Sequence, residues 1–232
     1  MKFYIGYDAR EHDAALVAQR TLAKVSGCDS EFVEADKLSA QGMLTRITDH
    51  RGRDYDLISN APKSTTFAVS RFLVPLLCQS TWGFFSDCDM VFYEDPRRML
   101  AEIEGDKAVY VVKHQYEPST KWKMQGLAQT KYSRKNWSSV MLFNCQHPAN
   151  KRLSLRDINE RPGRDLHQFY WLHDDEIGEL HPRWNWLVGE QPKPPEIGIA
   201  HFTLGGPWFD RWQPAEHDEL WLEAARLTQV RK

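Results

Sequence analysis

The sequence predicts an α/β protein built on a mostly parallel central sheet with helices on both faces. Two observations lead there. The chain opens on a short apolar run followed at once by a helical pattern, and brief apolar runs recur at residues 82–93, 108–112 and 140–143 between helical or polar stretches. Strands that alternate with helices are joined by crossovers, which make neighbouring strands parallel and cover the sheet.

Taken in order, residues 2–7 read as a strand, and Ala14, Leu16, Val17, Ala18, Leu22 and Val25 then recur at helical spacing. A second short strand is expected at 31–34. Residues 36–63 are polar with weak periodicity and read mostly as loop with short helical pieces. Ser64 is a candidate cap for a helix from Thr65 to about Cys78, with Phe67, Ala68, Phe72, Leu73, Leu76 and Leu77 inward and a kink at Pro75. Asp95-Pro96 starts a helix through Ile103, and 108–112 and 140–143 are buried strands. Residues 114–137 form a long polar and aromatic loop, a candidate lid. The run Gln191-Pro192-Lys193-Pro194-Pro195 is extended loop rather than a linker, and 214–230 is a helical tail carrying Leu220, Leu222, Ala224, Ala225 and Leu227.

The 232 residues suffice for a full core, and one domain is expected. Thirty basic against 32 acidic residues leave a net charge of −2, which argues against a non-specific nucleic-acid binder. The N-terminal stretch is broken by Asp8, Arg10, Glu11 and His12 and has no signal-peptide core. No transmembrane run occurs, so a cytoplasmic location is the expectation. Cys28, Cys78, Cys88 and Cys145 show no close pairing and no CxxC spacing, so neither a zinc site nor a disulfide framework is expected. Several of the nine tryptophans crowd together, at Trp171, Trp184, Trp186, Trp208 and Trp212. Core packing is the ordinary use of so large a ring, and a Trp face is also a common platform for a sugar.

Two Asp-x-Asp pairs share a spacing and differ in setting. Asp54-Tyr55-Asp56 follows His50-Arg51-Gly52-Arg53 in a polar stretch and is assigned to a solvated surface. Asp87-Cys88-Asp89 is flanked by Phe84 and Phe85 before it and Met90, Val91 and Phe92 after it. Ionised carboxylates carried into a core are costly unless paired with cations or a metal. At the carboxyl end of a strand in an open α/β sheet they would hold Mg²⁺ or Mn²⁺ together with a diphosphate. A capping or turn role for one aspartate is the alternative.

The strand Phe3-Tyr-Ile-Gly-Tyr-Asp8, the segment Ser70-Arg-Phe-Leu-Val-Pro75, the element Ser86-Asp-Cys-Asp-Met90, the strand Ser138-Ser-Val-Met-Leu-Phe-Asn144 and the late His201-Phe-Thr-Leu-Gly-Gly-Pro-Trp208 occur in the order seen in the family 8 glycosyltransferases. The chain resembles that family, which includes glycogenin and the lipopolysaccharide galactosyltransferases and has a nucleotide-binding α/β fold of the GT-A type. The matches run over about residues 3–208. The resemblance implies a nucleotide-binding half at about 1–113, an acceptor and closure half at about 114–212 and a C-terminal helix at 213–232. It implies that Asp87 and Asp89 ligate Mn²⁺ or Mg²⁺ with His201 as third protein ligand. Tyr7 and Asp8 would line the base and ribose pocket, and Arg71 would present its planar fork to phosphate or carboxylate. Cys88, Ser139, Gly205 and Gly206 complete the donor-binding candidates.

This sequence departs from the family at two places. A lysine usually stands shortly before the final Pro-Trp, against the donor diphosphate; here Gly206 precedes Pro207-Trp208. Backbone N–H groups of Gly205 and Gly206, or Lys63 or Arg211, are the candidates to compensate. The family's Asn-Ser-Gly facing the donor sugar reads Trp137-Ser138-Ser139. No clear Asp-Gln-Asp occurs; Asp174 and Asp175 are the catalytic candidates, to position acceptor or sugar, with a charged helix start as the other reading.

The implied activity is transfer of a sugar from a nucleotide-diphosphate donor, a UDP-sugar foremost, to a glycan, lipid-linked or protein acceptor, with retention of configuration. Three alternatives stand beside it: a catalytically inactive relative, a carbohydrate-binding protein, and a nucleotidyltransferase that forms sugar nucleotides. The last usually opens on a glycine-rich phosphate loop, and Ile5-Gly6-Tyr7 offers one glycine.

Overall fold

The computed structural model describes residues 1–49, 54–114 and 134–230. Its strands are β1 (Lys2–Tyr7), β2 (Ser30–Glu34), β3 (Thr48–Asp49), β4 (Tyr55–Asp56), β5 (Ala61–Pro62), β6 (Trp82–Ser86), β7 (Met90–Phe92), β8 (Val109–Val111), β9 (Val140–Asn144), β10 (Ile177–Glu179), β11 (Trp186–Leu187) and β12 (Ile199–His201). The α-helices are α1 (His12–Ser26), α2 (Ala35–Ala40), α3 (Val74–Leu77), α4 (Leu155–Glu160), α5 (Gly163–His167) and α6 (Asp218–Leu227).

The main sheet has six strands in the order β10-β8-β9-β6-β1-β2, of which only β9 runs against its neighbours. The mostly parallel sheet read from the sequence is therefore present. A second sheet, β11-β12-β7, stands beside it. Helix α1 is the shared wall of the two: Ala15, Ala18 and Leu22 pack into the core of the main sheet, while Ala14 and Val17, on the adjacent stripe, pack with Val91, Trp186 and Trp221. The helix stops at Gly27, whose left-handed backbone (φ 66°) returns its N–H to the Ala23 carbonyl.

Several elements differ from the sequence reading. In the 36–63 region α2 is one of the short helical pieces expected, whereas Thr48–Asp49, Tyr55–Asp56 and Ala61–Pro62 form a small antiparallel sheet, β3-β4-β5, instead of loop. Here Asp56, assigned to a solvated surface, is 1% exposed because Arg46 and Ser59 satisfy its carboxylate. The helix expected over 65–78 is a 3₁₀ turn at Ser70–Leu73 that opens into α3, so Pro75 sits in the first turn of a short helix rather than kinking a long one, and Leu76 is exposed. Pro96–Ala101 is likewise 3₁₀. The tail helix begins only at Asp218, whose carboxylate accepts from the Trp212 indole and the Ala215 N–H and ties down the irregular segment before it. The 114–137 loop, including Trp122, lies mostly outside the described residues. Among the described residues no helix is long and apolar enough to cross a membrane.

Asp56→Ala leaves the Arg46 guanidinium buried without its counter-charge and is expected to cost about 3–5 kcal/mol in urea unfolding, whereas Asp54→Ala should stay within about 0.5 kcal/mol. Burial alone would raise the Asp56 carboxyl, but the hydrogen bonds from Arg46 and Ser59 outweigh it and hold it low. Its stabilisation is thus fully present above the unfolded value of about 3.9 and is lost as pH falls through the folded one. The gap between wild type and Asp56→Ala should narrow only in acid.

Candidate functional site

The Asp87-Cys88-Asp89 segment is where the chain leaves one sheet and enters the other. Strand β6 ends at Ser86 and β7 begins at Met90. The Asp87 N–H donates to the Ser139 carbonyl (2.9 Å), prolonging the β6–β9 pairing by one residue. The Phe202 N–H donates to the Asp89 carbonyl (2.9 Å), prolonging the β7–β12 pairing, in which His201 stands opposite Met90. The chain bends at Cys88 and Asp89. Cys88, 1% exposed, packs in the core, and burial drives its thiol well above the ordinary value.

One ligand atom each from Asp87, Asp89 and His201 lies within 4.8 Å of the other two. The His201 Nε2 stands 3.4 Å from Asp89 Oδ1, and its Nδ1 lies 2.9 Å from Asn185 Oδ1. Asn185 is 0% exposed and its amide donates to Ser139 Oγ (2.8 Å), which donates to the Asn136 carbonyl (2.7 Å). This chain of donors fixes the amide with its oxygen toward His201. Nδ1 therefore carries a proton, which leaves Nε2 facing the carboxylates as the atom available to a metal.

Arg71, 4% exposed, lies between the rings of Phe67 and Phe85 (5.1 and 5.3 Å to the centroids). Its Nη1 donates to the Ser138 carbonyl (2.8 Å) and meets Asp87 Oδ1 at 2.7 Å. Ser138 Oγ meets His167 Nδ1 at 2.7 Å. Burial first, then the Arg71 charge, pushes His167 down to about 3, so it stays neutral. Burial and the nearby His201 likewise push His114 down to about 4.

Asp87, Asp89, His201, Arg71, Ser138 and His167 line a cavity of about 670 Å³, in the size range of small-molecule sites. At its far end Phe209 and Trp212 close over Gly205, where an added Cβ would meet their rings at 3.2 and 3.1 Å. Glu11, Lys135, Asn136 and Arg211 also line it. Burial and the charges of Asp89, Asp8 and Asp87 push the Glu11 carboxyl up to about 8. The cavity thus concentrates negative charge on one wall, which a bound cation would relieve. Two carboxylates and an imidazole nitrogen fit Mn²⁺ or Mg²⁺ as a donor set, the nitrogen favouring Mn²⁺.

Of the residues named from sequence, Asp87, Asp89, His201, Arg71, Ser139, Gly205 and Arg211 line this one cavity. Asp8 lies beneath it: burial alone would raise its carboxyl, but hydrogen bonds from Arg10 and the Thr66 N–H hold it low. Tyr7 is turned to His12, its hydroxyl 3.0 Å from Nδ1. Gly206 lies under Trp208, and the Gly205 N–H is taken by the Phe202 carbonyl (2.8 Å). Lys63 donates to Thr48 in the small sheet (3.0 Å). Asp174 and Asp175 border a separate hollow with Lys107 and Glu179, and Asp174 pairs with Arg134. Trp171, Trp184, Trp186 and Trp208 are core residues, and Trp212 alone of that group lines the cavity. Sequence reasoning missed Glu11, Lys135, Asn136, His167 and Asn185. A signal existed for Asn185, a polar residue between Trp184 and Trp186, since a buried amide needs partners.

No model of a known protein family matches the chain. Solved structures resemble it along nearly its whole length. It superimposes on the galactosyltransferase LgtC in complex with donor and acceptor sugar analogs with a TM-score of 0.62, at 11% identity, covering 100% of this chain and 98% of that one. For the glycosyltransferase GlyE of Streptococcus pneumoniae TIGR4 the TM-score is 0.59 at 14% identity, over 97% and 59% of the two chains. Mouse xyloside xylosyltransferase 1 gives 0.53 at 13%, over 89% and 99%. The fold is therefore the GT-A fold of the glycosyltransferases. The chain belongs to the family of Protein CDI of Arabidopsis thaliana, with which it is 38% identical over 230 residues, 95% of this chain and 84% of that protein.

Asn185→Ala is expected to lower Mn²⁺ affinity by roughly 10–100-fold, read from the free-Mn²⁺ signal in an electron paramagnetic resonance titration. Asn185→Asp keeps an acceptor for the His201 Nδ1 proton and should recover most of the loss. Equal loss in both variants would assign Asn185 to packing alone.

Proposed function

We propose that this protein is a metal-dependent glycosyltransferase that takes its sugar from a nucleoside-diphosphate donor, a UDP-sugar foremost, with retention of configuration. The observation that carries the reading is the convergence of Asp87, Asp89 and His201 on the wall of a ligand-sized cavity in a GT-A fold. Mn²⁺ or Mg²⁺ held there would act as a Lewis acid on the diphosphate and stabilise the leaving nucleoside diphosphate.

The chain's own residues supply the rest. Arg71 is already committed to Asp87 and Ser138, so its part is to hold the Asp87 carboxylate in place. Lys135 and Arg211 line the cavity and offset the lysine absent before Pro207-Trp208. Negative charge builds on the diphosphate as the sugar departs, so cations along its path favour the transition state over the bound donor. The Asn136 side-chain amide lines the cavity one residue before Trp137 and offers a donor to sugar hydroxyls. Phe209 and Trp212 give an apolar platform at the far end. His167, neutral and bonded to Ser138, positions the wall without adding charge. Asp174 and Asp175 stand outside this arrangement.

The test is a thermal-shift panel of UDP, GDP, CDP and their sugars, each with and without Mn²⁺. One nucleotide should raise the Tm, and only with metal; at a concentration near 100 Kd the shift corresponds to about 2.7 kcal/mol. Asp89→Ala should abolish it and Asp54→Ala should leave it intact. Arg71→Lys should weaken it while lowering the metal-free Tm, because an ammonium lacks the flat guanidinium face that packs between Phe67 and Phe85 and sets Nη1 at Asp87 and the Ser138 carbonyl. Metal-independent stabilisation by every nucleotide, or equal effects of Asp89→Ala and Asp54→Ala, would overturn the reading.

A further inference from the structure

Two cysteines far apart in the sequence meet at the end of the sheet away from the metal-ligand cluster. Cys78 follows α3, on the segment that carries Arg71, and Cys145 follows β9, the strand that begins after Ser139. The β6–β9 register sets Trp82 opposite Asn144, and the Cys145 N–H donates to the Thr81 carbonyl (2.8 Å). Gly83 makes the room: a Cβ there would stand 3.0 Å from Cys145 Sγ and 3.2 Å from Cys78 Sγ. Both sulfurs thus close over the one position of β6 that has no side chain. Both residues are partly exposed, with Cys78 Sγ against the Ser80 carbonyl (3.4 Å) and Cys145 Sγ against the Phe143 carbonyl (3.7 Å).

We propose that Cys78 and Cys145 form a redox-active dithiol that small-molecule disulfides, such as glutathione disulfide, oxidise to an intramolecular disulfide. The neighbouring Cys145 is the main influence that lowers the Cys78 thiol to about 6, and the proximity of Cys78 together with burial pushes Cys145 up. Near neutral pH Cys78 is therefore the attacking thiolate and Cys145 the resolving thiol. Cys78 Sγ attacks one sulfur of the disulfide; its S–S bond breaks, and the first small thiolate leaves and takes a proton. Cys145 then gives its proton to solvent and attacks Cys78 Sγ, and the mixed S–S bond breaks to release the second thiolate. Two electrons pass from the protein to the oxidant, which leaves as two thiols. The new bond ties together the far ends of the two elements whose near ends carry Arg71 and Ser139.

The test incubates the full chain in buffers of increasing glutathione-disulfide fraction, quenches with an alkylating agent and maps each cysteine by mass spectrometry. The expected product is a Cys78–Cys145 cross-linked peptide, two hydrogens lighter than the reduced pair, with Cys28 still alkylated as the internal control. Cys145→Ser should stop the reaction at glutathione on Cys78. Oxidised wild type should melt higher than reduced, and Cys78→Ser should melt the same in both buffers. Glutathione on wild-type Cys78 with Cys145 still alkylated would overturn the proposal. So would Cys28 reacting as readily as Cys78, or neither Cys78 nor Cys145 reacting in the most oxidising buffer.

Discussion

The structure turns on one backbone event, the passage of the chain from the main sheet to the small one across three residues. Asp87 is still paired as a strand of the first sheet and Asp89 is already paired as a strand of the second. Backbone hydrogen bonds on both sides hold the two carboxylates, and across the bend at Cys88 and Asp89 both line the cavity while Cys88 packs in the core. The β7–β12 pairing, whose own register is fixed by burial of Val91 and Ala200, then brings His201 to Asp89. Three candidate ligands, the third more than a hundred residues beyond the first two, are thus set by strand pairing rather than by a flexible loop.

The surroundings of these ligands follow from the charge they create. Arg71 compensates Asp87 from within the core, stacked between two phenyl rings, where a desolvated cation gains about 2 kcal/mol from such contacts. His167 and His114 remain neutral because burial disfavours their charged forms. Glu11 shows the residual imbalance most directly, since the field of Asp89, Asp8 and Asp87 adds to burial in holding its proton. Under the proposed function a divalent cation bound at this wall would relieve that charge, and a diphosphate would stand beside it.

Much of this was legible in the sequence, for identifiable reasons. The strands at 2–7, 82–86 and 140–144 are apolar runs buried on both faces, and Asp87-Cys88-Asp89 stood out because such runs flank it on both sides. The 36–63 region was misread because β3, β4 and β5 are two-residue strands, too short for any periodicity, and because Asp56 is satisfied by Arg46 ten residues earlier, a pairing that composition does not show. The 65–78 helix was overextended because an apolar pattern cannot tell a 3₁₀ turn from an α-helix. Lys135 and Asn136 carried no signal, since their place at the cavity depends on the left-handed turn at Asn136 (φ 63°). Cys78 and Cys145 looked unpaired because what joins them is the β6–β9 register and the missing side chain at Gly83.

The central claim is that one divalent cation sits among Asp87, Asp89 and His201. Anomalous diffraction at the manganese edge, from crystals grown with Mn²⁺ and the stabilising nucleoside diphosphate, tests it directly. The account predicts a single strong peak roughly 2 Å from His201 Nε2 and from an oxygen of each aspartate, with the diphosphate completing the coordination. An ordered diphosphate in the cavity with no anomalous peak at those side chains, or a peak elsewhere on the protein, would contradict it.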